Sequence, residues 1–592
     1  MLRLARRCAF GCLVPLGGCA LPPMGTPSDD VSSADSGSSS TTSAEPGASS
    51  GGDETSGEAN RNPPICGDGV RSAEEACDLG GQNGSPGSDC LEGCVVNVCG
   101  DFHLGPGEGC DVGPEDTAEC EGCVPTTCGN GLDPGEICDP AEPGIRGASC
   151  SETCSWRPGA FHVAGGNKGT CAVLHGGFVK CWGYNEFHNS GYSPRRYGTN
   201  IALTVDTIPE QMPCLDFGDS RSGRMAIQVA RGDGTACVLF DDKAVRCWGL
   251  ESSGKISVVQ KAYEDRLPAE IPDVAGLPPL ESIAMGYRHA CGLTADGQVW
   301  CWGSNLRGQT GVECDEEEDP CLGRVELGGS ATSLAVGRLH NCAVVDRLPE
   351  GDPDGQGDTV TCWGRDTSDR PGILGLGPLP DPDFGDQLEE IQAIAEVSVE
   401  FSTTGQTPLT IAGGSESTCL VVAPEVGLRC WGHGDDHSLG DDAMDDYGLD
   451  TPPSAAPLHD FGGARIVKQA TGFGVNVHGV VVGEASKRVH LWGRNSFGQL
   501  GLGLGPEATE PRSIAQSPPL NFDSPVQQLE LAPFHACVVL DRPDSPLLCW
   551  GHGNNGRLGN ASGETIGDQS TELPDDSESF EPVALGSGCL RK

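Results

Sequence analysis

Positive charge is scarce in this chain. Its 592 residues hold 37 Lys and Arg against 85 Asp and Glu, a formal net charge of −48. Phosphate backbones are bound by basic surfaces, so this balance excludes nucleic acid as a partner class. It also argues against electrostatic docking on anionic lipid, and it suits solubility outside the cell. Long apolar runs are missing too. The apolar stretch Cys8–Gly18 has about eleven residues, against roughly twenty for a membrane-spanning helix. Neither a His-Glu-x-x-His zinc helix nor a phosphate-binding glycine loop occurs. No catalytic constellation emerges.

What the N-terminus does contain is an export signal. Arg3, Arg6 and Arg7 precede the apolar stretch, which ends Leu16-Gly17-Gly18-Cys19. That ending resembles a bacterial lipobox. The resemblance implies that residues 1–19 are a lipoprotein signal, with Cys19 lipidated as the mature N-terminus. Ala20 follows rather than Asp, which in a Gram-negative cell implies the outer membrane. The expected location is therefore outside the cytoplasm, at the cell surface or the periplasmic face, with membrane contact through the lipid alone. Residues 20–64 are Ser, Thr, Gly, Asp, Glu and Pro with almost no large apolar side chain. Such a segment cannot bury a core and is expected to be a disordered linker. As a flexible coil it would reach on the order of 35–40 Å.

Thirty-one cysteines in an exported chain indicate disulfides. Setting aside Cys8, Cys12 and Cys19 leaves 28. Twelve fall in residues 65–155, in three units: Cys66/Cys77/Cys90/Cys94, Cys99/Cys110/Cys120/Cys123 and Cys128/Cys138/Cys150/Cys154. Each unit opens Cys-Gly-Asp or Cys-Gly-Asn and has Cys-Asp at its second cysteine. They resemble the myxobacterial-type cysteine-rich disulfide repeat of exported proteins. A unit this short has no room for a core, so cross-links must stabilise it. Zinc is the rival reading, but His103 is the only histidine nearby. Within a unit, three connectivities are open.

The rest of the chain, residues 158–592, is a repeat. Trp-Gly pairs begin at Trp182, Trp248, Trp302, Trp363, Trp431, Trp492 and Trp550. A recurring unit of this size means repeat architecture. In the third copy, two short runs flank Ala295-Asp296-Gly297. A three-residue hairpin loop with Gly297 at positive φ places Cys301 opposite Cys291, within disulfide range. The same arrangement is expected at Cys171/Cys181, Cys237/Cys247, Cys342/Cys362, Cys419/Cys430 and Cys537/Cys549. The Cys342/Cys362 hairpin holds an insert, Leu348–Asp358. In the sixth copy, aligning Ala470-Thr471-Gly472 with Ala284-Met285-Gly286 puts Val477 and Leu491 at the cysteine positions. Both cysteines are missing together, as bonded partners would be. Cys314 and Cys321 bracket an acidic loop and are expected to staple it. Cys214 and Cys589 are left over, and a bond between them would latch the ring.

A glycine sits five residues before the first cysteine in most copies, as at Gly166, Gly232, Gly286, Gly337 and Gly414, with Ala532 there in the last. After each Trp-Gly comes a turn such as Gly498-Gln499-Leu500-Gly501. These residues resemble the regulator of chromosome condensation repeat family. The resemblance implies a seven-bladed β-propeller in which the chain ends complete one blade, with Phe580–Leu585 as the closing strand. Cys-Trp-Gly is typical of its exported bacterial branch. Radial closure leaves only short sheet edges. A superhelical solenoid is the alternative, but it needs polar caps that the sequence does not show. The expected fold class is thus all-β: a seven-bladed propeller preceded by a disulfide-rich module and a disordered linker.

His289, His340 and His535 share one slot, two residues before the first cysteine, and are read as structural. Asp352, Asp354 and Asp358 resemble a calcium loop but lack the distal Glu of an EF-hand, so calcium is a weak candidate and no other cofactor is expected. Asp435, Asp436, Asp441, Asp442, Asp445 and Asp446 are read as a solvated loop. The functional expectation is a lipid-anchored, non-enzymatic binding scaffold whose propeller loops meet a protein or a glycan. In the family, such propellers serve as protein-binding platforms. A propeller-based hydrolase or lyase, or a purely structural envelope protein, is the alternative.

Overall fold

A computed structural model describes most of residues 155–586, together with residues 120–121, 124–125, 138 and 150–151. Gaps fall at 219–223, 251–265, 315–320, 348–357, 367–370, 402–406, 424–426, 472–475, 484, 506–509 and 576–579. The signal, the linker, and the first cysteine-rich unit lie outside the described residues. So do Cys19, Asp352, Asp354 and Cys589.

Seven antiparallel sheets follow one another along the chain. The first three strands of each blade are Ala160–Gly166, Gly169–Leu174 and Phe178–Tyr184 in blade 1, and Ala226–Arg231, Thr235–Phe240 and Val245–Gly249 in blade 2. Blade 3 has Ser282–Met285, His289–Leu293 and Val299–Gly303; blade 4 has Ser330–Val336, His340–Asp346 and Asp358–Arg365. Blade 5 has Pro408–Gly413, Ser417–Val422 and Gly427–Gly432; blade 6 has Ile466–Thr471, Val477–Val482 and Arg488–Gly493. Blade 7 has Val526–Leu531, His535–Leu540 and Leu547–Gly551. The first strands of successive blades pack on one another, and the first strand of blade 7 packs on that of blade 1. That contact closes the ring. The protein is a seven-bladed β-propeller, and a solenoid is ruled out.

The repeated tryptophan joins neighbours. All seven indoles are at most 1% exposed. Trp550 Nε1 donates to the carbonyl of Gln499, in the turn after the preceding blade's Trp-Gly, at 3.0 Å. Trp492 does the same to Ser438, Trp431 to Ile373, and Trp182 to Arg557 across the ring closure. The last glycine of that turn must be bare, because a Cβ on Gly501 would lie 2.8 Å from Trp550 Nε1. The glycine before the second strand has a similar cause. A Cβ on Gly286 would run into the His289 ring and come within 2.6 Å of the Gly337 carbonyl oxygen, and one on Gly337 would run into the His340 ring and come within 2.8 Å of the Gly414 oxygen. Blades touch there backbone to backbone. At the closure, Ala532 takes this slot and Gly165 of blade 1 leaves room for its methyl.

Each third strand carries an outer edge. In blade 3 it is one strand, Cys321–Val325, paired from Gly303↔Cys321 to Val299↔Val325. In blade 4 it is split: Phe384 pairs with Gly364, and Val399 N donates to Val360 O. Blade 1 splits likewise, with Ile201 at Gly183 and Leu215 N on Val179 O. Blade 7 has Ile566 bridged to Gly551 and Val583 N on Leu547 O.

Three expectations need correction. Phe580–Leu585 is not a ladder strand but an extended segment with one backbone bond to blade 7, and Lys180 Nζ of blade 1 holds the Leu585 carbonyl at 2.9 Å. The first three strands of blade 7 come from one continuous run, so the ring closes by side-chain clasps. Second, Gly479, not Val477, faces Leu491. The chain between Thr471 and Val477 is two residues longer than that between Met285 and His289 in blade 3, which alignment on Gly472 could not register. A Cβ on Gly479 would meet Leu491 Cδ2 at 2.5 Å, so leucine fills the space a cysteine pair fills elsewhere. Third, Asp358 is not in the blade 4 insert. It is the first residue of the third strand, opposite Asp346.

Candidate functional site

The six hairpin cysteine pairs are disulfide-bonded, with Cα–Cα distances of 4.0–4.2 Å: Cys171–Cys181, Cys237–Cys247, Cys291–Cys301, Cys342–Cys362, Cys419–Cys430 and Cys537–Cys549. Cys314–Cys321 is bonded at a Cα–Cα distance of 5.5 Å. Cys214 is disulfide-bonded as well. In the third cysteine-rich unit, Cys138 bonds Cys150, joining the second and third cysteines. These bridges stiffen blades, and no cysteine lines either of the two cavities described below.

The shared histidine slot is a set of interblade links. His289 Nε2 donates to Asn341 Oδ1 at 2.8 Å, so blade 3 is tied to blade 4. His340 Nε2 lies 3.0 Å from Thr418 Oγ1, and His535 Nε2 lies 2.7 Å from Thr170 Oγ1. Between blades 5 and 6 the partners are exchanged: Ser417 holds the slot and His478 answers it at 2.9 Å. Burial pushes His340 and His478 down to about 3 and His535 well below its ordinary value. They are neutral structural groups, not acids or bases in a cleft.

The acidic loop after blade 5 is used locally. Asp446 accepts from Gly434 N, Asp441 from Met444 N, and Asp442 from Gln516 Nε2. Among the described residues, no group of three or more His, Cys, Asp and Glu side chains converges as a metal site.

A concave region lies elsewhere on the described surface, on the rim where the first two strands of blades 3, 4 and 5 turn. Tyr287 N donates to Arg338 O, and Arg338 N to Gly414 O, so the three turns are chained by backbone bonds. The segments after Trp-Gly lock onto the same turns, with Ser304 N on Arg288 O and Arg365 N on Leu339 O. A cavity of about 530 Å³ opens between Tyr287, Arg288, Leu306, Arg307, Arg338 and Arg365. A second, of about 220 Å³, shares Arg338, Leu339 and Arg365 and continues to Ser415 and Glu416. Together they form one groove with four arginines in its wall.

Those arginines divide into two pairs. Arg307 is bonded to Asp383 at 2.8 Å, and Arg365 stands 3.8 Å from the same carboxylate. Arg288 and Arg338 instead both lie over the Tyr287 ring, each 5.5 Å from its centroid. Arg288 and Leu306 are exposed. Sequence reading missed this groove. The available signal was an arginine between the shared glycine and histidine in two successive copies, Gly286-Tyr287-Arg288-His289 and Gly337-Arg338-Leu339-His340, in a chain so poor in positive charge.

A propeller whose blades share the Trp-Gly hairpin and the following glycine turn is a repeat protein of defined type. Residues 281–309 and 487–539 match the regulator of chromosome condensation (RCC1) repeat. Among curated relatives, it is similar to the ultraviolet-B receptor UVR8 of Arabidopsis thaliana, 25% identical over 400 residues, covering 67% of this chain and 78% of the receptor. It is 26% identical over 381 residues to the E3 ubiquitin-protein ligase HERC2 of Homo sapiens, spanning 63% of this chain and only 7% of the ligase. Among solved structures, human WBSCR16 aligns with a TM-score of 0.49 at 17% identity, over 65% of this chain and 88% of that one.

Proposed function

We propose that this protein is an exported, lipid-anchored binding scaffold whose propeller engages another protein through the rim of blades 3 to 5. The observation that carries the reading is the groove itself. Its walls come from three blades whose turns are bonded to one another, so it is preorganised and pays little ordering entropy on binding. Binding sites concentrate on loops held by a rigid scaffold. A similar relative named as a receptor supports a binding role. The ligase activity in HERC2's name is not carried over, because the match spans so little of that protein.

The anchor belongs to the same proposal. Cys19 would carry the lipid, and residues 20–64 would hold the folded part clear of the membrane. Metabolic labelling with a palmitate analogue tests this. Label is expected on the wild-type chain in the outer-membrane fraction and absent from Cys19→Ser. Label on Cys19→Ser, or none on wild type, contradicts the anchor.

The binding reading is tested by affinity capture with the oxidised chain against solubilised envelope and secreted fractions, with a reduced, unfolded sample as control. One or a few proteins retained by the oxidised form alone support it. The absence of any such protein across several salt conditions contradicts it.

A further inference from the structure

The groove's chemistry names its partner more closely. Resting on the reading above, we infer that it binds an extended acidic peptide segment of a partner protein, in which two carboxylate side chains flank an apolar one. Arg288 and Arg338 take the two carboxylates. Leu306 and Leu339 receive the apolar side chain.

Charge is the first reason. The chain as a whole repels anions, with acidic residues more than twice as numerous as basic ones. Asp381, Asp383 and Asp386 stand beside Arg307, so the local inversion of that field sits at Arg288 and Arg338, where it focuses anions into the cleft. Availability is the second. Asp383 is bonded to Arg307 and stands 3.8 Å from Arg365, whereas neither Arg288 nor Arg338 has a carboxylate partner among the described residues. A guanidinium presents a planar fork that matches a carboxylate two bonds at a time. The Tyr287 ring beneath both limits their freedom, so less order is lost when they pair.

The alternatives fit less well. An acidic sugar polymer would use an open aromatic face for its ring, but both guanidinium groups already stand over Tyr287. Nucleic acid would meet the repulsion of the remaining surface. The apolar side chains matter as well: Leu306 is 64% exposed at the groove's edge, a poor arrangement for a purely ionic ligand.

The test uses the full oxidised chain and a fluorescein-labelled dodecapeptide centred on Asp-Glu-Leu-Asp-Glu, read by polarisation. Its amide counterpart, Asn-Gln-Leu-Asn-Gln, is the control. The acidic peptide is expected to bind at least about tenfold more tightly than the amide one, and the preference to shrink as salt rises. Arg288→Ala with Arg338→Ala should weaken binding by about tenfold or more, while Arg288→Lys with Arg338→Lys should restore part of it. The lysine variant guards against a folding defect, and an unchanged melting temperature in all variants confirms it. Equal binding of both peptides, or full binding by the alanine variant, overturns the inference. Displacement of the peptide by polygalacturonate at lower charge concentration overturns it in favour of a glycan. If affinity capture still retains a protein on the alanine variant, the scaffold reading stands and this inference fails. If capture yields nothing while the peptide binds, the scaffold reading is the one lost.

Discussion

His535 of the last blade and Thr170 of the first, 365 residues apart in sequence, meet at 2.7 Å between Nε2 and Oγ1. Thr170 has one hydroxyl proton and gives it to the Arg557 carbonyl at 2.8 Å. It therefore accepts from His535, which fixes that imidazole as its Nε2–H tautomer. Trp182 donates to the same carbonyl. Two side chains of blade 1 thus hold the turn of blade 7. Beside them, Gln528 receives from Val163 N and donates to Val163 O, both at 2.8 Å, and Glu530 accepts from Gly165 N at 2.9 Å. Side chains do here what an exchanged strand does in other rings.

Thr170→Val removes that acceptor while keeping the shape, and it leaves the His535 N–H buried without a partner. It is expected to cost ~1–3 kcal/mol. Urea unfolding of the oxidised protein measures it. A cost no larger than that of Thr199→Val, at an exposed position, contradicts this account of closure.

Stability should depend on pH from both sides. Burial pushes His162 down to about 4 and His340 and His478 to about 3. Unfolded imidazoles take up protons near 6.5, whereas these do not until pH 3–4. Their contribution is complete above about 6.5 and falls with falling pH, each by about 1.4 kcal/mol per unit. Glu530 works in the other direction. Burial raises its carboxyl to about 8, so it keeps its proton where the unfolded chain releases one, and its contribution is lost as pH rises from 4.5 to 8. The histidines outnumber it below 6.5, so the melting temperature should peak near pH 6–7. Glu530→Gln should flatten the alkaline limb and His340→Gln the acid one. A melting temperature still rising from pH 7 to 8.5 contradicts the sign for Glu530.

Gly286→Ala and Gly337→Ala each place a methyl against the ring of the same blade's histidine, His289 or His340, and against the next blade's carbonyl oxygen. Neither glycine has positive φ, so the cost comes from contact alone. Each is expected to destabilise by ~1–3 kcal/mol, as overpacking does. Gly463→Ala serves as a control: its φ of +71° makes it strained, yet a Cβ there meets nothing within 4 Å. Losing disulfide bonding in blade 3 together with stability in Gly286→Ala would show that the turn positions the hairpin as well.

Leu585 and Gly586, on the seventh blade's outer edge, lie beside Pro209 and Glu210 of blade 1. Cys214 is bonded, and every other described cysteine from residue 155 onward is paired within its own blade. Proteolysis without reduction, followed by mass spectrometry, should recover Cys214 cross-linked to Cys589. Any other partner for Cys214 removes the proposed latch.

Much of this architecture was legible because its causes are local. A ten-residue cysteine spacing around a glycine turn defines a hairpin, and Gly297 indeed sits at φ +78°. Seven Trp-Gly pairs count seven blades. Position across the ring was not legible. Nothing within one repeat says that the Trp550 indole answers the Gln499 turn, or that the next blade's carbonyl, beside the repeat's own histidine ring, lies against the glycines before the histidine slot. The two-residue insertion before Val477 hid in the same way, since only the ladder shows that Gly479 faces Leu491. The groove was hardest to see, because its arginines come from separate copies and become neighbours only when the blades stack.

The most direct measurement is polarisation titration of the Asp-Glu-Leu-Asp-Glu peptide against the wild-type chain and the Arg288→Ala, Arg338→Ala variant. Saturable, salt-sensitive binding to wild type, weakened by about tenfold or more in a variant of unchanged melting temperature, is the expected result. Equal affinity for the two proteins would mean that the groove between blades 3 and 5 is not where this propeller recognises its partner.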